Sequence, residues 1–161
     1  RMELQFADPL VAQIDGLLKS ASVFLVKAKD GNRTEKLIEL SQLSNNAQVS
    51  EIASVSLAQA ASNPANVTII QSNPTLFNAY VALVKSSNPV VVKFSAFAWS
   101  YITENPAAVG ALPDPVISEF VNTIKSSKDP QTIENYLRSC AFIAKNDTKR
   151  GSLLNAGVLD V

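Results

Sequence analysis

The stretch from Asn88 to Asn105 constrains the fold of this chain more than any other. It begins and ends with an Asn-Pro pair, and between the pairs it reads VVVKFSAFAWSYITE. Five residues that are suited to burial recur at helical spacings of three and four, so their side chains lie along one side of a helix. The stretch therefore predicts a core-facing helix of about four turns. The predicted stripe consists of Val91, Ser95, Ala98, Trp99 and Ile102.

This pattern occurs again on both sides of the stretch, and Asn63, Asn105 and Asn146 mark the same place in successive copies. The spacing, a period of roughly 41 residues, is typical of helical repeat proteins. The units of such proteins cannot each close a core and therefore stack on their neighbours. We therefore expect a tandem array of helical units.

The prolines mark where the helices begin. An Asx side chain can accept the free N–H groups of a first helical turn, and a proline at the first helical position lacks an N–H that would have no partner there. Seven of the eight prolines follow such a residue, namely Asp8, Asn63, Asn73, Asn88, Asn105, Asp114 and Asp129. Five glycines and no hairpin patterns complete the prediction of an all-α chain.

The predicted organisation is a capping region followed by three units. Residues 1–33 form the N-terminal capping region, and the units are 34–73, 74–113 and 114–157, each with a middle, a long and a short helix. The predicted long helices are Ala47–Ala61, Pro89–Thr103 and Pro130–Lys145. The start of a further unit is expected at the end, which suggests a piece of a longer array or a shortened cap. An open stacking face there would allow self-association.

The three-helix unit resembles the armadillo family over roughly residues 34–161. The sequence GALP at 110–113 is similar to the family's glycine-centred turn before the middle helix, and NAGVL at 155–159 is similar to the same turn one unit later. The resemblance implies a right-handed superhelical solenoid of three-helix armadillo-like repeats.

The resemblance also implies where a partner binds. In armadillo proteins the long helices line the concave side, and importin-type members project a Trp and, four residues on, an Asn from each. The matching positions here are Val55 and Gln59, Phe97 and Tyr101, and Arg138 and Phe142. Because none of these is Trp or Asn, the importin-type peptide clamp is not implied. We expect these six residues to form a different protein-binding surface.

Composition argues against several other classes. Fourteen basic residues balance fourteen acidic ones, so no broad field favours nucleic acid, and no apolar run is long enough for membrane insertion. The chain has no histidine, phosphate loop, metal-ligand cluster or catalytic carboxylate pair, so we expect no enzyme, cofactor or metal. The single cysteine, Cys140, fits a reducing compartment and hence a cytoplasmic location, and its place on an apolar face predicts a structural thiol. Trp99 is predicted to be a residue of the hydrophobic core.

The sequence thus favours a non-enzymatic scaffold or adaptor that binds a partner protein on the concave face. The alternative is a regulator of another protein's nucleotide state. Two armadillo classes would fit that alternative: an Hsp70 nucleotide-exchange factor, and a small-GTPase regulator or effector such as a formin regulatory domain. Recovery of Hsp70 with faster nucleotide release would favour the first of these.

Overall fold

The computed structural model describes residues 47–161, and this part of the chain is all helical, as the sequence predicts. The helices are α1 Ala47–Ala61, α2 Pro64–Ser72, α3 Pro74–Val84, α4 Pro89–Ile102, α5 Pro106–Gly110, α6 Asp114–Ser126, α7 Pro130–Ala144 and α8 Lys149–Asn155, followed by a 3-10 turn at Val158–Asp160. These bounds lie close to the predicted ones. The predicted capping region 1–33 and residues 34–46 of the first unit lie outside the described residues.

Asx-Pro pairs begin five of these helices. In each, the Asx residue is extended and its side-chain oxygen accepts backbone N–H groups of the first turn, as in Asn88 Oδ1, which lies 2.9 Å from the nitrogen of Val90. The five caps are Asn63, Asn73, Asn88, Asn105 and Asp129. The capping residues of α4 and α7 are held by the same kind of hydrogen bond. The N–H of Asn88 donates to Ser86 Oγ, and the N–H of Asp129 donates to Ser127 Oγ, each at 3.1 Å.

The prediction that Asp114 caps α6 is wrong. Asp114 is the first residue of α6, the cap position falls to Pro113, and no side chain caps this helix. The Asp114 carboxylate instead accepts a hydrogen bond from Ser152 Oγ on α8 at 2.6 Å. The side chain is thus used to hold α8 against α6, which pack together.

Helix α4 lies at the centre of the described part. It packs most extensively against α1 on one side and α7 on the other, so the three long helices stand in a row. The middle helices α3 and α6 pack against α4 and α7 respectively, and they also touch each other. This packing is compatible with a helical repeat, because elements one period apart in the sequence take equivalent places.

The buried side of α4 is wider than the predicted stripe. All five stripe residues are buried, and Trp99 and Ile102 are fully so. Ala96 and Ser100, which lie outside the stripe, are also buried. A helix with a long-helix neighbour on each side must bury more than one face, and small side chains allow a close approach.

A chain of aromatic contacts runs through the core from α3 to α7. Trp99 meets Phe77 edge-on with ring centres 5.6 Å apart and lies 5.4 Å from Phe120, which stacks on Tyr136 at 4.8 Å. Trp99 Nε1 also donates to the carbonyl of Tyr80 at 3.1 Å. The prediction that Trp99 is a core residue is confirmed, and its polar group has the partner that burial requires.

The two glycine-containing turns, at 110–113 and 155–159, differ in backbone conformation. Gly157 has φ of 84°, in the left-handed region that glycine enters without steric cost. Gly110 is the last residue of α5, and its φ is not positive. Only the second turn therefore requires its glycine. Within residues 47–161 no helix is both long and apolar enough to cross a membrane.

Candidate protein-binding surface

Two neighbouring cavities open at the C-terminal ends of the long helices. The first has a volume of about 340 Å³ and lies between α1–α2 and α4–α5, and the second, of about 300 Å³, lies between α4–α5 and the end of α7. Glu104 and Pro106 line both cavities, so the two adjoin at a shared wall, and together they are called here the repeated groove. The first is lined by Ala61, Pro64, Val67, Thr68, Tyr101, Glu104, Asn105 and Pro106, and the second by Thr103, Glu104, Pro106, Val109, Phe142, Lys145 and Asn146.

Each cavity lies between two successive units, and the later of the two supplies equivalent wall residues in both cavities. Tyr101 and Asn105 line the first, and Phe142 and Asn146 line the second. Phe142 lies one period after Tyr101 in the sequence, and Asn146 lies one period after Asn105. An aromatic ring near the end of the long helix and an asparagine just beyond that helix therefore occur in both the second and the third unit.

The wall that the earlier unit supplies is also equivalent. Pro64 and Val67 line the first cavity, and Pro106 and Val109 line the second. The second pair again lies one period after the first. Both walls are copied from unit to unit, so the groove follows from the repeat itself rather than from a chance irregularity of the surface.

The aromatic side chains of the groove are half-buried. Tyr101 contacts Phe97 edge to face, with ring centres 5.2 Å apart, and Phe97 packs against the hydrophobic core. Phe142 lies beneath the ammonium of Lys145, whose Nζ is 5.3 Å from the ring centre. Each ring is thus fixed in place while part of its surface stays accessible.

The two asparagines are oriented by backbone N–H groups that follow them in the chain. Asn105 caps α5, and Asn146 accepts from the turn that leads into α8. Asn105 Oδ1 accepts the N–H of Ala107 at 2.9 Å, and Asn146 Oδ1 accepts the N–H of Lys149 at 2.9 Å. Since the oxygens face the helix, the Nδ2 groups are left as donors, and neither has an acceptor among the described residues. The groove therefore offers one amide donor per unit.

Charge in the groove differs between the units. Glu104 is exposed on the shared wall and has no ion-pair partner within residues 47–161. Its counterpart in the next unit is Lys145. An elongated ligand along the groove would therefore meet a carboxylate between the cavities and an ammonium in the second.

Only some of the six sequence-predicted residues come together at the groove. Tyr101 and Phe142 line it, and Phe97 supports Tyr101 from behind. Val55 is half-buried on α1, while Gln59 and Arg138 are exposed on α1 and α7. These last three line neither cavity.

Sequence reasoning misses most of the groove. It identifies Asn105 as a cap alone and does not single out Pro106, Val109 or Asn146 as surface residues. The available signal is the recurrence of the same residue classes, one unit apart, just beyond the end of each long helix. That signal gains meaning only when packing shows that the following short helix forms a wall.

The described residues include one cysteine and no cluster of metal ligands. Burial raises the pKa of the Cys140 thiol to about 12, so this thiol stays protonated at neutral pH and is a poor nucleophile. No group of His, Cys, Asp and Glu among the described residues could hold a metal ion. The groove combines apolar walls, two asparagine side chains and two opposite charges.

Comparison with known proteins informs the fold. No protein-family model matches this chain, and no curated protein matches it. It is similar to the crystal structure of an engineered protein, a target of the Northeast Structural Genomics Consortium. The TM-score is 0.73 at 21% sequence identity, and the match covers 98% of this chain and 67% of that one. At this identity the likeness shows the fold alone.

Proposed function

We propose that this chain is a protein-binding scaffold or adaptor, built as a right-handed armadillo-like solenoid of three-helix units. The row of long helices supports the architecture, since α1, α4 and α7 pack side by side at one per unit. The observation that carries the function is the repeated groove. Two open cavities in series, each with an accessible aromatic ring, suit an elongated protein segment that spans both.

Tyr101 and Phe142 are the proposed anchors. Interface energy is concentrated in a few aromatic and arginine side chains, and each of these rings is held by a neighbour while staying partly accessible. Arg138 lies one turn before Phe142 on the exposed side of α7 and is the proposed third anchor. Phe97 supports Tyr101, and Val55 and Gln59 extend the surface onto α1.

Affinity capture with quantitative mass spectrometry tests this proposal. The wild-type chain and a variant with Tyr101→Ala and Arg138→Ala serve as baits, together with the control Asn122→Ala on the exposed side of α6. We expect a specific partner that is depleted at least about tenfold by the double variant and retained by the control. Melting temperatures should be nearly equal in all three proteins.

Three results would contradict the proposal. They are a melting temperature that falls in the double variant without a change in capture, a partner lost equally with Asn122→Ala, and the absence of any partner sensitive to the double variant. If the partner is Hsp70 or a small GTPase, its rate of nucleotide release with and without this chain decides between a scaffold and a nucleotide-state regulator.

A further inference from the structure

We propose that the repeated groove binds a proline-rich segment in the polyproline II conformation, with a basic residue between two apolar side chains. This inference rests on the proposed function and specifies the chemistry of the partner. It is carried by four features of the groove: its period, its amide donors, its walls and the position of its acidic residue.

The first feature is the period. Packed helices lie about 8–10 Å apart, so equivalent points in the two cavities are separated by roughly that distance. A polyproline II helix rises about 3.1 Å per residue with three residues per turn, so it presents the same face about every 9 Å. Residues three apart in such a ligand would therefore enter successive cavities from the same side.

The second feature is the pair of amide donors. Asn105 lines the first cavity and Asn146 the second, and in each side chain the Oδ1 accepts backbone N–H groups while the Nδ2 has no acceptor among the described residues. A polyproline II segment has no internal hydrogen bonds, and all of its carbonyl groups are free to accept. One donor per unit thus matches one carbonyl in every three residues of the ligand.

The third feature is the composition of the walls. Tyr101 and Phe142 provide partly accessible rings, and Pro64 and Pro106 provide rigid apolar surfaces opposite them. Grooves lined by aromatic residues are the usual receptors of proline-rich segments, because a preformed ligand helix loses little conformational entropy on binding. A flexible peptide with the same apolar side chains would lose more.

The fourth feature is charge. Glu104 lies on the wall between the two cavities, is exposed and has no cationic partner among the described residues. Lys145 lines only the second cavity, where its ammonium lies over the Phe142 ring. A ligand residue between the two apolar positions would lie beside the Glu104 carboxylate on the shared wall, so a basic residue is favoured there. A peptide with the order Leu-Pro-Arg-Leu meets all four requirements.

Calorimetric titration of the full chain with the synthetic peptide Pro-Pro-Leu-Pro-Arg-Leu-Pro-Pro tests the inference. We expect binding with a Kd at or below about 100 µM. Replacing Arg in the peptide by Glu should weaken binding at least about tenfold, and Glu104→Lys should reverse that preference. Glu104→Gln should remove the preference without reversing it. Because Glu104 is exposed, these variants should retain the wild-type melting temperature.

A second set of variants tests the amide donors. Asn105→Ser keeps a capping oxygen, since serine caps helices about as well as asparagine, and Asn146→Ser keeps an oxygen that can accept the N–H groups of the turn before α8. Both variants remove the Nδ2 group. Each should weaken binding of the peptide about threefold to tenfold. The matched control Asn73→Ser changes the cap of α3, which lines neither cavity, and should leave affinity unchanged.

Four results would overturn the inference: no binding at about 1 mM peptide, equal binding of the Arg and Glu peptides, equal binding when the prolines are replaced by glycine, or affinity insensitive to both serine variants. Equal binding of the glycine peptide would indicate an ordinary extended ligand instead. A captured partner that depends on Tyr101 but binds without any proline-rich segment would contradict this inference alone and leave the proposed function standing.

Discussion

The two junctions between long helices, α1 with α4 and α4 with α7, share one backbone plan but use different polar chemistry. At the first, Asn88 Nδ2 donates to Glu51 Oε1 at 3.1 Å. At the equivalent place in the second, the pKa of Asp129 is lowered by the hydroxyl of Thr132 and, to a smaller extent, by the ammonium of Lys93. The amide of Asn88 thus corresponds to the carboxylate of Asp129, and the carboxylate of Glu51 corresponds to the ammonium of Lys93. The two junctions therefore place different polar groups at equivalent positions.

Their interiors differ in the same way. On the side of the first junction the buried hydroxyl of Tyr80 donates to the carbonyl of Leu57 at 2.7 Å. In the second, the hydroxyls of Tyr136 and Ser95 bond to each other at 3.0 Å, and Phe120 stacks on Tyr136. Each of these buried hydroxyls is paired, but the partner changes from backbone to side chain. Tyr80 lies on a middle helix and Tyr136 on a long helix, so the two interiors place their buried tyrosine hydroxyls at different positions of the unit.

The largest expected effect is a difference in stability between substitutions at equivalent positions of two successive units. Trp99 and its counterpart in the next unit, Cys140, are both buried. Trp99→Ala should lower the free energy of unfolding by about 3 to 5 kcal/mol, because it leaves a large cavity and removes two aromatic contacts. Cys140→Ala removes one small group and should cost about 1 kcal/mol. Denaturant unfolding of both variants measures this difference. Equal losses of unfolding free energy would contradict the larger buried volume of the Trp99 side chain.

The next effect appears at alkaline pH and involves one tyrosine from each side of α4. Burial raises the pKa of Tyr80 and of Tyr136 well above the ordinary value near 10. Above pH 10 the unfolded chain loses these protons while the folded chain keeps them, so stability should fall by about 1.4 kcal/mol per pH unit for each tyrosine. Below pH 10 neither contributes to the pH dependence.

Substitution by phenylalanine separates the two tyrosines. Tyr80→Phe and Tyr136→Phe should each remove about one third of the slope above pH 10, as measured by urea unfolding between pH 9 and 11. The buried thiol of Cys140, whose pKa is also raised, contributes a similar share. Tyr136→Phe should cost more at neutral pH, because it leaves the buried Ser95 hydroxyl unpaired. An unchanged slope in both variants would show that these hydroxyls are not buried.

The smallest effect concerns the helix caps of the two junctions. The pKa of Asp129 lies below its ordinary value, chiefly because Thr132 Oγ1 donates to the carboxylate at 2.6 Å. The stabilisation that Asp129 provides is therefore present above pH 4 and lost as pH falls through the lowered pKa, whereas Asn88 does not titrate. Asp129→Ala should cost about 1 kcal/mol at pH 7, measured by urea unfolding.

Asp129→Asn is the matched control, since it keeps a capping oxygen but cannot ionise. Stability at pH 7 should change by only a few tenths of a kcal/mol, and the part of the acid dependence below pH 4 that arises from this cap should disappear. An Asn variant with the same acid profile as the wild type would exclude Asp129 as its source.

Helix positions are predictable from sequence because their signals are local. An Asx-Pro pair contains both the capping oxygen and the residue that suits the first turn, so α2, α3, α4, α5 and α7 can be placed by inspection. Asp114 fails because its carboxylate is engaged by Ser152 on α8, far along the chain. No local pattern reports a contact at that separation.

The groove is less predictable for the same reason. The period identifies Tyr101 and Phe142 as equivalent, but their neighbours Pro64 and Pro106 come from a preceding short helix to which the pattern gives no role. Arg138 shows the opposite case, since its place on the long helix matches the resemblance but lies outside both cavities. A repeat pattern predicts which residues are equivalent, whereas tertiary packing decides which of them share a wall.

Hydrogen–deuterium exchange of the complex with the captured partner tests most directly that the repeated groove is one binding surface. The account predicts that the ends of α4 and α7 with the turns that follow them, residues 98–106 and 140–147, become protected together, while α3 and α6 keep their free exchange rates. Protection of α3 and α6 with no change at either cavity would contradict it. So would protection confined to one of the two cavities.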